Sequence, residues 1–255
     1  MLGSLKMTLV LLAVLALTVM GSALSLRARE VQNQTTPTPN LIEQQQKRQA
    51  ELESQFPVID YDAAEDTDPA GLAKRRAKNG RYDKRNLVSK DSTPRVSEST
   101  RLLEGYYVPA LPTARSNLIV VGEVLASAAH LSNDKSDVYT ELTVRVGEVI
   151  KNSTPVQLAQ GTEITAEREG GIVRYANGHK RLHRMADEGM PAVGRRYALF
   201  LGPIENSDDY TILTGYELTE AGVEPVDSSR HFTAYQGYAV DAFLDLVRAT
   251  LNEHQ

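Results

Sequence analysis

From Val138 to Val146 the chain alternates without a break. Val138, Thr140, Leu142, Val144 and Val146 fall on one side of an extended backbone, and Tyr139, Glu141, Thr143 and Arg145 on the other. A period of two excludes a helix here and predicts a half-buried antiparallel strand with its valine side turned to a core. At Gly147 the phase slips, and Val149 and Ile150 carry on out of step. That slip predicts a β-bulge or coil, a device that lets a strand curl around a barrel.

The neighbouring segments extend the pattern. "NLIVVGEVLAS" is nearly continuous apolar around Gly122, which predicts a strand buried on both sides or bent sharply at that glycine. "TEITAER" and "GGIVRYANG" predict two short strands separated at Gly170-Gly171. "RRYALFLGP", "DYTILTGYEL" and "GVEPVD" complete a set of about seven, with Gly, Pro, Asn or Asp in the connections. In "AVDAFLDLVRATLNEH" the residues Val240, Phe243, Leu244, Val247 and Leu251 form one helical stripe. The expected fold is mainly β: a single small β-barrel or sandwich of about seven strands, with a C-terminal α-helix covering one open end or face.

The order of a "GEV" strand, a loop, "YTELTVRVGEVIK" and then "GTEIT" resembles the opening of OB-like barrels of the netrin and metalloproteinase-inhibitor type. The likeness spans about Leu118 to Thr165. It implies an OB-like barrel. Those families set a cysteine N-terminal edge against a target protease, and this chain has no cysteine, so their inhibitory chemistry is not implied. "MPAVGRRYALFL" and "YTILTGYEL" resemble exported bacterial β-domains, a likeness that implies no activity.

The N-terminus bears on compartment. No charged residue occurs between Lys6 and Arg27, and the apolar run there is followed by Gly21, Ser22 and Ala23. Residues 1–26 are expected to be a signal peptide cut after Ala23 or an uncleaved membrane anchor, which places the remainder outside the cytoplasm. Residues 27–101 have the composition of a linker: a Pro/Thr stretch, a sparse "LIEQQQKRQAELESQ", five carboxylates in "DYDAAEDTDP" and seven cations in "AKRRAKNGRYDKR". Low hydrophobicity without an apolar period predicts a disordered stalk. The opposite charge blocks could attract each other or each meet a different surface. "LLEGYYVPALPTA" is read as a strap into the β-barrel domain at 102–255.

Composition narrows function mostly by exclusion. The formal net charge of −5 gives no excess of positive charge for a nucleic-acid partner. Zero cysteines exclude a disulfide framework, a thiolate zinc site and a thiol nucleophile. No G-x-S-x-G elbow, phosphate loop or dinucleotide fingerprint occurs. Glu167 with Glu169, or Asp208 with Asp209, could be paired as acid and base, but carboxylates in polar turns are usually just solvated. His179 and His183 are spaced i, i+4, which on a helix would face a metal. They lack the glutamate of H-E-x-x-H and follow Asn177-Gly178, so a solvated basic hairpin loop is expected instead.

In that loop His179, Lys180, Arg181, His183 and Arg184 are candidate ligand-binding residues for an acidic partner, with no metal or cofactor expected. Nine tyrosines between Tyr106 and Tyr238 suit barrel rims and binding faces equally. The expected function is an exported, non-enzymatic binding or structural module on a flexible stalk, meeting a protein or an acidic cell-surface polymer. Two alternatives stay open: a hydrolase assembled only by the fold, and a precursor cut at dibasic sites such as Lys84-Arg85.

Overall fold

A computed structural model describes residues 39–64, 67–88, 98–101 and 108–252. The expected signal or anchor, the Pro/Thr stretch and the first part of the strap lie outside these residues. The chain divides into two units, Met1–Gln49 and Ala50–Gln255. Of the first, only residues 39–49 of helix α1 (Pro39–Gln55) are described. Among the described residues no helix is long and apolar enough to cross a membrane.

The second unit is mainly β and is built on a closed five-stranded barrel. Its strands are β3 (Leu118–Leu131), β4 (Val138–Asn152), β5 (Glu163–Arg174), β7 (Arg196–Pro203) and β8 (Tyr210–Thr219). They run in the order β5-β4-β3-β7-β8 with antiparallel neighbours. A short parallel pairing of Ala166 with Tyr210 and Glu167 with Thr211 closes the ring. Val144 is fully buried and Arg145 exposed, as the alternation requires. Gly147 is the bulge: Val121 pairs with Glu148 and Gly122 with Val146, leaving Gly147 without a partner residue.

Two apolar clusters occupy opposite faces of the same strands. Leu118, Val120, Val124, Leu142, Val144, Leu199 and Leu201 fill the barrel. Ile119, Val121, Ala198, Phe200 and Tyr216 point outward, under helix α3 (Val240–Asn252). The helix lays Phe243, Leu244 and Val247 on that wall, each burial contributing about 2 kcal/mol. It therefore covers a side of the barrel, and β3 is apolar on both faces because both are buried. Val108, Ala110 and Leu111 join this cluster as the described part of the strap, and Tyr216 Oη donates to the Ala110 carbonyl at 2.7 Å.

Among the described residues seven strands follow residue 102, but two differ from expectation. The predicted pair around Gly170-Gly171 is one strand, β5. The glycines bend it out of the barrel and let it pass close to its neighbours: a Cβ on Gly171 would lie 2.9 Å from Val138 Cγ2, and Gly170 has a φ of +119°. The missing strand is β6 (Lys180–Met185), where a solvated loop is expected from the sequence. It pairs with the bent half of β5. Strand β9 (Gly222–Pro225) extends β8.

The expectation of a disordered linker up to residue 101 is corrected over 56–64 and 67–88. Strand β1 (Val58–Asp60) adds in parallel to Ile172–Arg174 of β5, and Phe56, Tyr82, Leu87 and Val88 are buried. Helix α2 (Pro69–Asn79) starts on an Asp68 cap, whose Oδ2 accepts from Gly71 N at 2.8 Å, with Pro69 in the first turn. A 3-10 turn at Gly80–Tyr82 continues it. Strand β2 (Glu98–Arg101) lies in parallel on β6. The segment lacks a hydrophobic period, and it meets the barrel both through the buried Phe56, Tyr82, Leu87 and Val88 and through its charges.

Candidate functional site

The face of β4 that carries Tyr139 and Glu141 is expected in solvent, yet Tyr139 is fully buried. The basic segment covers it. Arg75 forks onto Glu141 at 2.6 and 3.2 Å and also donates to Tyr139 Oη at 3.2 Å. Lys78 reaches Glu141 at 3.1 Å and Asp209 at 2.8 Å. Arg81 pairs with Glu167, to which Tyr82 Oη also donates at 2.9 Å. Arg85 pairs with Glu169 at 2.5 Å. The Tyr82 ring stacks on Tyr139 with centroids 4.1 Å apart, and the Arg85 guanidinium lies over Tyr82. Lys84 N and Asn133 Nδ2 tie the same segment to the β3–β4 loop, through Asp134 Oδ2 at 2.7 Å and the Arg76 carbonyl at 2.9 Å.

Burial and pairing compete at these carboxylates. Desolvation works to raise Glu141 and Asp209, but Arg75 and Lys78 at the first and Lys78 and Ser207 at the second outweigh it, so both stay below the usual range. At Glu167 desolvation wins over Tyr82 and Arg81, and its pKa is raised. His130, 3.6 Å from Glu141, is lowered to about 4 by burial and by the Arg75 charge, so it is neutral at pH 7. The two carboxylates considered as an acid and base pair, Glu167 and Glu169, thus each hold an arginine of the clasp. Asp209 is held by Lys78.

Next to the clasp lies a second ionic group with a cleft around it. Arg168 of β5 is buried; its Nη2 lies 2.8 Å from Asp227 Oδ1 and its Nε 3.3 Å from Glu188 Oε2. Asp227 is otherwise filled, by Gly189 N at 3.1 Å and Thr214 Oγ1 at 2.7 Å. Two cavities meet here, of about 370 and 220 Å3, and Arg168, Glu188 and Leu213 line both. Arg81 and Arg85 line the larger one with apolar Met185, Ile204 and Ile212. Desolvation raises the pKa of Glu188 against the pull of Arg168, with Asp227 and Glu169 adding to the rise.

The residues singled out from sequence are not brought together as a loop. His179 sits in the β5–β6 turn, its N–H donating to Asn177 Oδ1 at 2.9 Å. Lys180, Arg181, His183 and Arg184 are on β6, where successive residues face opposite sides. Lys180 pairs with Glu53 at 2.9 Å, and Arg184 Nη1 reaches the Glu188 carbonyl at 3.4 Å. His183 is fully buried, with Nδ1 3.1 Å from the Leu87 carbonyl, and burial lowers its pKa to about 4. Four residues along an extended chain span roughly 13 Å, so His179 and His183 do not chelate one ion. Among the described residues no three His, Asp or Glu side chains converge as a metal would require.

Arg168 was legible only as one charge within "EREGG", and nothing local marks it as buried. Its partners Glu188 and Asp227 lie 20 and 59 residues away. No family model and no curated protein matches the chain.

Proposed function

We propose that this chain is an exported, non-enzymatic binding module, carried behind an N-terminal signal or anchor, whose recognition site is the cleft around Arg168. The observation that carries the reading is the cleft itself: two adjoining cavities, of about 370 and 220 Å3, the larger lined by the charged Arg81, Arg85, Arg168, Glu169 and Glu188 beside apolar Met185, Ile204, Ile212 and Leu213. Its size is that of a small-ligand site, and charged groups that converge beside apolar ones suit a ligand with both kinds of surface. The engagement of Glu141, Glu167, Glu169 and Asp209 by Arg75, Lys78, Arg81 and Arg85 supports a structural use of those carboxylates rather than acid–base work. The barrel order, with a parallel pair closing five otherwise antiparallel strands, supports kinship with OB-like barrels, a fold that binds ligands on its strands and loops.

A screen of fragment-sized organic solutes by amide NMR on the full chain tests this. Shifts should centre on Met185, Ile204 and Thr211–Leu213 and should vanish in Leu213→Trp, which fills the wall common to both cavities. Shifts confined to other surfaces would sink the reading. A hydrolase is the second reading, favoured by one observation: Glu188 is a carboxyl of raised pKa beside a cleft. It requires turnover of an ester, amide or glycoside that Glu188→Gln abolishes.

A further inference from the structure

Three arginines line the larger cavity, and two of them have nitrogen donors left over. Arg168 Nη1 and Arg81 Nε are buried, and neither has a hydrogen-bond acceptor among the described residues. Arg168 cannot look to its existing partners. Asp227 already takes Gly189 N and Thr214 Oγ1, and Glu188 is met by Nε. A buried guanidinium N–H without an acceptor is costly, and such orphans in a folded protein call for a group that the protein alone does not supply.

We propose that the cavity takes the carboxylate of a small organic acid, held by Arg168 and Arg81, with the acid's apolar part against Met185, Ile204, Ile212 and Leu213. The assignment rests on the cleft being the binding site. Each of these spare N–H groups can give a carboxylate one charge-assisted hydrogen bond, Arg168 Nη1 to one oxygen and Arg81 Nε to the other. The apolar part of the lining, Met185, Ile204, Ile212 and Leu213, favours an organic acid over inorganic phosphate.

Glu169 and Glu188 also line this cavity and oppose an anion. Glu169 is held by Arg85. Glu188 faces Arg168 from β5, with Asp227 and Glu169 nearby and Asp187 and His231 around the adjoining cavity. An incoming carboxylate adds negative charge beside Glu188, whose proton affinity burial already raises. Binding is therefore coupled to uptake of a proton by Glu188, whose hydroxyl can then donate to the ligand. Affinity should rise as pH falls, by up to about tenfold per pH unit for one coupled proton, until the ligand's own carboxyl protonates.

The probes are butyrate, n-butylammonium and inorganic phosphate, titrated into the full chain and read by amide NMR. Butyrate should shift Arg168, Glu188, Thr211 and Leu213 saturably and bind more tightly at lower pH; in Glu188→Gln the pH dependence should flatten. Arg81→Lys keeps a cation beside Glu167 while removing the spare Nε donor, so it should weaken butyrate severalfold with the melt retained. Leu213→Trp should abolish binding. Phosphate binding as tightly as butyrate, or wild-type affinity in Arg81→Lys, overturns the carboxylate assignment. Shifts of the same amides by butylammonium alone keep the cleft as a binding site and overturn its anion preference. No shift from any probe or from the wider solute screen overturns the cleft as well.

Discussion

Two walls of one barrel are covered in opposite ways. On one, α3 lays Phe243, Leu244 and Val247 on Ile119, Val121, Phe200 and Tyr216. On the other, Arg75, Lys78, Arg81 and Arg85 clasp Glu141, Glu167, Glu169 and Asp209 around the stacked rings of Tyr82 and Tyr139. The first cover is driven by removing apolar surface from water, which needs no particular partner and is not weakened by the screening of charges. The second must offset the desolvation of each charge with well-aimed partners, so it contributes little net stability but punishes the loss of any one partner. One cover resists conditions and the other responds to them.

The largest effect is expected on the apolar wall. Phe243→Ala removes a fully buried ring and should cost about 3–5 kcal/mol in urea melts, by the same amount in low and high salt. A loss that shrank with salt would mean that α3 is held by charge, for example through the Arg248–Glu148 pair, and the contrast would fail.

On the clasp, Glu167→Gln should cost about 3 kcal/mol, because it leaves Arg81 beside a neutral amide in a buried site. Adding Arg81→Met should recover much of that, since replacing both charges removes both desolvation costs. The same double change on an apolar wall would only deepen the damage. Absence of rescue would show that Glu167 matters chiefly as the acceptor for Tyr82.

The difference also decides what could be read from the chain. Period-two alternation gave β4 and the slip at Gly147, and period 3.6 gave α3, because both patterns record which side meets an apolar core. "AKRRAKNGRYDKR" records nothing of the kind: its partners lie on strands more than 60 residues later, as with Arg75 and Glu141. Composition averages a window and so read solvent where there are buried pairs. The Arg168 group failed for the same reason, and Gly170-Gly171 was misread because glycine marks a bend as readily as an end. "GHKRLHR" reads as solvated because cations outnumber His183 and Leu182, and no alternation marks the strand: these two consecutive residues face opposite sides of β6 and both are buried.

Acid should separate the walls next. His183 is neutral when folded, held near a pKa of about 4 by burial and by the Arg181 charge, against 6.5 unfolded. Its contribution is present above about pH 6.5 and lost as pH falls toward 4, by up to about 3 kcal/mol. His130 acts with the same sign but is partly exposed, so less is expected of it. Glu167 and Glu188, raised in the fold, oppose this by favouring the folded state as they protonate. Urea melts of His183→Gln against the parent isolate the histidine: the variant should lose less stability between pH 6.5 and 4. An identical pH slope would mean that His183 keeps its ordinary pKa.

Salt should produce the smallest effect, and a local one. The exposed edge of the clasp, Arg85 on Glu169 and the outer side of Arg75 on Glu141, is screened as the Debye length falls from about 10 Å at 0.1 M to about 3 Å at 1 M. Such pairs contribute about 1 kcal/mol or less, so global melts should barely move. Opening of the segment is different, because limited proteolysis reads its local free energy rather than that of the barrel. Trypsin should cut after Lys84 or Arg85 several times faster in 1 M salt than in 0.1 M, while the chain beyond Ser116 stays intact. Phe243→Ala should leave that ratio unchanged and Glu169→Gln should remove part of it. Equal cutting rates at both salt concentrations would mean that Tyr82 stacking and the buried Leu87 and Val88 hold the segment, and that its charges set only its register on the barrel.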